Sequence, residues 1–251
     1  MNSLRTAVLL VAGTGSRLRP LTDGIPKSLV SLGNETILGR LIRQLEACGI
    51  EHFVLATGYC EAMLREQLSA SRSRIDYCWN RDFAVSQNSV SLGQCAEAVT
   101  NESFIKLDGD LVLDSRIIER VIDDSSSMSV AIDTSRMLDS EAMKVQMGPY
   151  GSIINFGKSI PLHQAHAESV GIEKLDVHTA REVFSRIEVL RRSGIVNRYY
   201  EDVYADLIRE SMIAPHAVDM SGFPWTEVDT FEDLNHAREL VQKTEASYSD
   251  D

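Results

Sequence analysis

The sequence predicts an α/β fold on a mostly parallel sheet, and three observations support this. Apolar runs of strand length alternate with segments of helical period from start to finish. The first such run leads straight into a loop rich in glycine and arginine, Ala12-Gly13-Thr14-Gly15-Ser16-Arg17. The fourth ends in Asp108-Gly109-Asp110, at the sheet edge where open α/β folds place their ligands.

Taken in order, residues 6–11 read as a buried strand, and Ile37, Leu38, Leu41, Ile42, Leu45 and Cys48 recur at helical spacing before Gly49, a natural C-terminal cap. Strands follow at 53–56, 75–79 and 104–107, and helices at 61–68, 90–99 and 115–122. The last of these carries Ile117, Ile118, Val121 and Ile122 on one face. After Asp123 the texture shortens to β-rich pieces at 129–132, 143–147, 152–156 and 170–175, which predict a small mixed-sheet extension. Helices at 179–192, 200–211 and 230–241 and a short strand at 217–220 complete the chain. The segment after Lys243 is polar and acidic, and it reads as a frayed tail. No linker forces a boundary. The expectation is one domain over 1–245, in halves 1–123 and 124–245, with a tail at 246–251.

Composition narrows the function. The chain has 251 residues, 43% hydrophobic and 25% charged, enough for a sizeable core. No apolar run approaches the roughly 20 residues of a membrane helix, and the apolar stretch after Arg5 reads as a strand rather than a signal peptide. A cytoplasmic protein is expected. With 25 Lys and Arg against 37 Asp and Glu, the net charge of −12 weighs against nucleic acid or an anionic membrane as partner. An anionic ligand must then be caught by a few placed cations. Cys48, Cys60, Cys78 and Cys95 show no metal-site spacing and are expected as reduced thiols.

The chemistry concentrates in motifs. Gly13 and Gly15 let backbone N–H groups approach a phosphate chain, and Arg17 and Arg19 add positive charge. A dinucleotide fingerprint would need Gly or Ala where Leu18 stands, and a P-loop would end in Gly-Lys-Ser/Thr. Alone, the loop also fits an ordinary strand-to-helix turn, and Lys27 behind Pro26 fits a solvated loop residue. Together, Gly13-x-Gly15-Ser16-Arg17-Leu18-x-Pro20-Leu21-Thr22 and Pro26-Lys27-Ser28-Leu29 resemble the signature of the nucleotidyltransferases that join a nucleoside triphosphate to a phosphomonoester. The resemblance implies a Rossmann-like (GT-A-like) mixed sheet flanked by helices, with an NTP-binding first half and an acceptor-binding second half. It assigns Ala12, Gly13, Thr14, Gly15, Ser16 and Arg17 to the triphosphate, and Lys27 to the α-phosphate and the incoming phosphate.

Asp110, at a strand end, suits a hard cation such as Mg²⁺, although an acidic turn reads the same way. The segment Trp225-Thr226-Glu227-Val228-Asp229-Thr230, with Glu232-Asp233-Leu234, resembles the family's closing motif, which implies Asp229 as second metal ligand. Thr230 and Asp233 also read as a helix cap, and the two roles are compatible. The stretch around Lys158 resembles the family's acceptor-phosphate lysine, and Ser169 to Lys174 its acceptor segment, with Glu173 as a contact. Without the resemblance Lys158 reads as a surface lysine.

Glu141-Ala142-Met143-Lys144-Val145 and Asn88-x-x-Ser91-Leu92 resemble the branch that makes CDP-linked small molecules, among them phosphocholine, aminoethylphosphonate and inositol-phosphate cytidylyltransferases. The amides of Gln87 and Asn88 would then read a pyrimidine edge, with Ser91 also at the nucleotide, which points to CTP. Tyr199, Tyr200 and Glu201 could receive a cationic acceptor head, or simply open a helix with acids at its positive end. The expected reaction is in-line attack on the α-phosphorus without a covalent enzyme intermediate. Lys27, Arg17 and Asp110 would be the catalytic groups, Asp110 and Asp229 would hold Mg²⁺, and pyrophosphate would leave. A homodimer is compatible with this reading. The rivals are a sugar-1-phosphate uridylyl-, guanylyl- or thymidylyltransferase and a nucleotide-binding regulatory protein, the latter disfavoured by joint retention of Arg17, Lys27, Asp110 and Asp229.

Overall fold

A computed structural model describes residues 4–249. In chain order the elements are β1 (Thr6–Leu10), α1 (Ile37–Ala47), β2 (His52–Thr57), α2 (Glu61–Gln67), β3 (Arg74–Trp79), α3 (Asn88–Gln94), β4 (Phe104–Asp108), β5 (Leu111–Leu113) and α4 (Ser115–Asp123). The second half adds β6 (Met128–Asp133), β7 (Lys144–Met147), β8 (Ile153–Phe156), β9 (Ala167–Leu175), α5 (Val177–Arg192), α6 (Tyr200–Arg209), β10 (His216–Asp219), β11 (Trp225–Glu227) and α7 (Phe231–Ser249).

The main sheet runs β10-β6-β9-β4-β1-β2-β3, with β7 and β8 as a hairpin branching from β9. β3, β2, β1 and β4 are mutually parallel, whereas β9 lies antiparallel between β4 and β6. Because both faces are covered, the central strands are apolar on successive residues rather than alternating. Ala7 and Leu9 of β1 pack with α1, α4 and α7, while Val8 faces α3, α5 and α6. Helix starts follow local chemistry: the hydroxyl of Thr36 accepts from Gly39 N at 3.0 Å, and Asp176 caps α5 by accepting from Thr179 N at 2.7 Å.

The β-rich pieces after Asp123 form the expected mixed extension, with β6, β9 and β10 continuing the main sheet and β7 and β8 branching from it. Two expectations change. The helix expected at 90–99 is the shorter Asn88–Gln94. The last helix runs on to Ser249, past the point where fraying was expected, and residues 250 and 251 of the expected tail lie outside the described residues. Among the described residues no helix is long and apolar enough to cross a membrane. All four cysteines are free thiols.

Candidate active site

A cleft of about 540 Å³ opens at the C-terminal edge of β1 and β4. Its first wall is the loop leaving β1. Gly15 holds φ 60°, and a Cβ there would lie 2.8 Å from the Cβ of Lys27, so the loop and the lysine can pack this closely only because position 15 is glycine. Thr22 ties the loop by donating its hydroxyl to Gly15 O at 2.8 Å. A short 3₁₀ turn at Ser16–Leu18 buries Leu18 and leaves Arg17 open to the cleft, and a second at Lys27–Leu29 starts behind Pro26.

Lys27 Nζ donates to Asp110 Oδ2 at 2.6 Å and to Asp229 Oδ1 at 2.5 Å. Arg17 Nη2 meets Asp229 Oδ2 at 2.7 Å. Residues from both ends of the sequence thus converge on one point, and the pair β5/β11 is what brings them there. Asp110 immediately precedes β5, Asp229 follows β11, and the two strands pair antiparallel with Val228 N donating to Asp110 O at 3.0 Å. Asp229 is also tethered from below: Asp233 Oδ2 accepts from Asp229 N at 3.1 Å and from Thr230 N at 2.8 Å, while Asp233 N donates to Thr230 Oγ1 at 3.3 Å. Helix cap and site carboxylate coexist.

The electrostatics follow. Burial works against the Lys27 ammonium, but Asp110 and Asp229 outweigh it and raise its pKa, so the lysine stays charged. Burial likewise disfavours the Asp229 carboxylate, yet Lys27 and Arg17 prevail and lower its pKa. Glu227, walled in by protein although water still reaches it, has its pKa raised by that crowding and then by Asp110, Asp108 and Asp229. Asp110 Oδ1 is buried without a hydrogen-bond partner.

Ala12, Gly13, Thr14, Gly15, Ser16, Arg17 and Lys27 line the cleft with Gln87, Asn88 and Ser91, as do Lys158, Tyr199, Glu201, Asp110 and Asp229. Some of these are partly committed: Asn88 Oδ1 accepts from Tyr200 N at 2.9 Å, and Ser91 Oγ accepts from Asn80 Nδ2 at 3.0 Å. Lys158 lies 3.6 Å from Glu141, with its Nζ 5.3 Å over the Tyr199 ring.

Two expected acceptor contacts are corrected. Glu173 is fully buried, because β9 is paired on both sides and Glu173 sits directly across from Lys106 of β4, 2.9 Å from its Nζ. Tyr200 is also sealed; its hydroxyl donates to Asp108 Oδ2 at 2.8 Å and its ring lies 3.5 Å from Lys106 Nζ. Neither lines the cleft. They belong to a buried cluster beneath it, in which Lys106 also meets Asp108 Oδ1 at 3.0 Å. Burial pushes Glu173 up to about 7 and Glu201 up to about 8, with the Lys106 charge opposing in both cases. Sequence reasoning quoted Asp108 and Glu227 within their motifs without giving them a role, and it missed Lys106. The signal for Lys106 was present: a lysine inside an otherwise apolar buried strand needs an anionic partner nearby.

A glycine-rich loop with two cations, facing two carboxylates at a sheet edge, can neutralise and orient a polyphosphate. Residues 7–145 match the MobA-like NTP transferase domain. The chain belongs to that family. Among its relatives, the CTP:phosphoglutamine cytidylyltransferase of Campylobacter jejuni is 25% identical over 91% of this chain and 97% of its own length. The choline-phosphate cytidylyltransferase of Streptococcus pneumoniae is 26% identical over 94% of this chain and 98% of its own. The fold is shared with the inositol-1-phosphate CTP transferase from T. maritima, at TM-score 0.80 and 22% identity over 96% of each chain. This MobA-like NTP transferase is therefore a nucleotidyltransferase with cytidylyltransferase homologues.

Proposed function

We propose that this nucleotidyltransferase moves CMP from CTP to a small phosphomonoester or phosphonate and releases pyrophosphate, in a reaction supported by Mg²⁺ at Asp110 and Asp229. The observation that carries the reading is the meeting of Lys27 and Arg17 with Asp110 and Asp229 in one cleft. The cytidylyltransferase relatives favour CTP among the nucleotides.

An acceptor oxygen attacks the α-phosphorus in line; a new P–O bond forms, the α–β bridging P–O bond breaks, and its electron pair leaves with pyrophosphate. Two anions must be brought together, so the work is positioning and charge neutralisation. Lys27, kept charged by its carboxylate partners, lies against the α-phosphate, and Arg17 holds the outer phosphates with the N–H groups of the Gly13–Gly15 loop. The acceptor phosphate is already ionised near neutral pH and needs no strong base. A hard divalent ion takes oxygen donors, and Asp110 Oδ1, buried without a hydrogen-bond partner, is such a donor. Mg²⁺ binds in this manner, through one or two carboxylates plus phosphate oxygens. When bound, the ion supplies charge neutralisation to the α-phosphate and to the departing pyrophosphate.

The test is pyrophosphate release with CTP, UTP, GTP, ATP and dTTP, each offered phosphocholine, aminoethylphosphonate, inositol phosphate and sugar 1-phosphates. CTP with a non-sugar acceptor is the expected pair; efficient turnover of UTP, GTP or dTTP with a sugar 1-phosphate would replace this reading.

A further inference from the structure

A second cavity, of about 460 Å³, opens at the other end of the strand pair that carries the cleft carboxylates. Asp110 and Asp229 stand where Leu111 of β5 faces Glu227 of β11, whereas Asp114 and Trp225 line the second cavity where Leu113 faces Trp225. Phe223, Pro224 and Leu240 give this cavity an apolar wall. Arg116, Arg136 and Lys243 bring three cations to it, in a chain whose net charge is −12.

Its two acids are already satisfied. Asp114 is buried and holds the Arg116 guanidinium through both oxygens, at 2.8 and 2.7 Å. Asp133, also buried, accepts from Trp225 Nε1 at 2.9 Å and from Ser135 N at 2.8 Å. Arg136 is different. Its guanidinium lies 4.1 Å over the Trp225 ring and its Nη2 donates to Trp225 O at 2.8 Å, which together fix its place. Nε stops 4.0 Å from Asp133 Oδ2, an ion pair beyond hydrogen-bond distance. Among the described residues, Nε and Nη1 of Arg136 therefore donate no hydrogen bond.

A planar guanidinium held in place with N–H donors uncommitted matches an oxyanion. The apolar wall matches a hydrocarbon body, and the volume is that of a small-molecule pocket. A cation would be repelled by the arginines. A wholly apolar ligand would strip water from the Arg136 donors and give them nothing in return.

We propose that this cavity is a second ligand site, which takes a small organic anion: one carboxylate or phosphate group at Arg136, on an apolar body against Phe223, Pro224 and Leu240. No bond is made or broken there. The site stands apart from the transfer reaction and does not depend on it.

The chain's two tryptophans make the test local, since Trp225 lines the cavity and Trp79 lies on β3 at the opposite edge of the main sheet. In the Trp79→Phe protein, Trp225 emission is titrated with phenyl phosphate, benzoate, benzyl alcohol and inorganic phosphate. The expected result is a saturable change with phenyl phosphate or benzoate, at a Kd at least about tenfold below those of benzyl alcohol and inorganic phosphate. The tighter of the two anions tells whether the group is a phosphate or a carboxylate. Adding Arg17→Gln, in the cleft, is expected to leave this Kd unchanged, and adding Arg136→Gln to raise it about tenfold or more. Lys243→Gln, at an exposed position on α7, is expected to raise it about threefold and serves if Arg136→Gln fails to fold. Neither anion binding more tightly than benzyl alcohol overturns the inference. So does a response that Arg17→Gln abolishes while Arg136→Gln, or failing that Lys243→Gln, leaves it intact, because the anion then sits in the cleft. Pyrophosphate release plays no part in this readout, so the failure of either reading leaves the other to stand on its own test.

Discussion

Lys27 concentrates the chemistry of this cleft at a single atom. Its Nζ stands between two carboxylates, at 2.6 and 2.5 Å, and holds them together against their mutual repulsion. Lys27→Ala removes that charge from the cleft and leaves Asp110 and Asp229 facing each other. Asp110→Asn keeps the shape and removes one negative charge. Each substitution is expected to lower kcat by roughly 10²-fold or more, with far-UV circular dichroism unchanged; near-normal turnover in either contradicts the assigned roles. Lys27 and its partners were legible in the sequence because a family-like motif surrounds each of them. Glu173 and Tyr200 were misread at the same scale, since a motif reports which residue is present and not which face of a strand or helix it takes.

At the scale of elements, β5 and β11 have three residues each, too few for any periodicity to announce them. Yet their pairing sets the distance between the two carboxylates. The start of α7 completes the arrangement, because Asp233 caps the helix and holds the Asp229 backbone with one oxygen. Asp233→Ala is therefore expected to do two things. Loss of a cap costs about 1 kcal/mol and lowers the thermal midpoint by roughly 2–4 °C for a chain of this size. If Asp229 holds the metal as proposed, loosening the contact that fixes its backbone lowers activity roughly 10- to 100-fold. A lowered midpoint with unchanged steady-state rate would make Asp233 a cap alone.

Across the whole molecule, the buried carboxyl groups at and beneath the cleft wall set a pH dependence of stability. Glu173 is pushed up to about 7 and Glu201 to about 8, from an ordinary value of 4.5, with burial as the main cause. Between about 4.5 and 8 the folded protein keeps protons that the unfolded chain gives up, so stability falls as pH rises through this window. Urea midpoints are expected to be lower at pH 8.5 than at pH 5.5, and Glu173→Gln is expected to flatten the difference; a midpoint that rises over the same interval contradicts this account.

The sequence by itself determined the alternation of strands and helices, the glycine- and arginine-rich loop after β1, and the identities of Arg17, Lys27, Asp110 and Asp229. These are local properties, carried by residue period, glycine placement and short motifs. Only the tertiary structure decided that β9 enters the main sheet antiparallel between β4 and β6, which turns Glu173 away from the cleft and against Lys106. It alone also brought Asp229 to Asp110. The reason is that strand pairing and burial are settled between segments far apart in the chain, where one residue's neighbours depend on how every other strand has found its place.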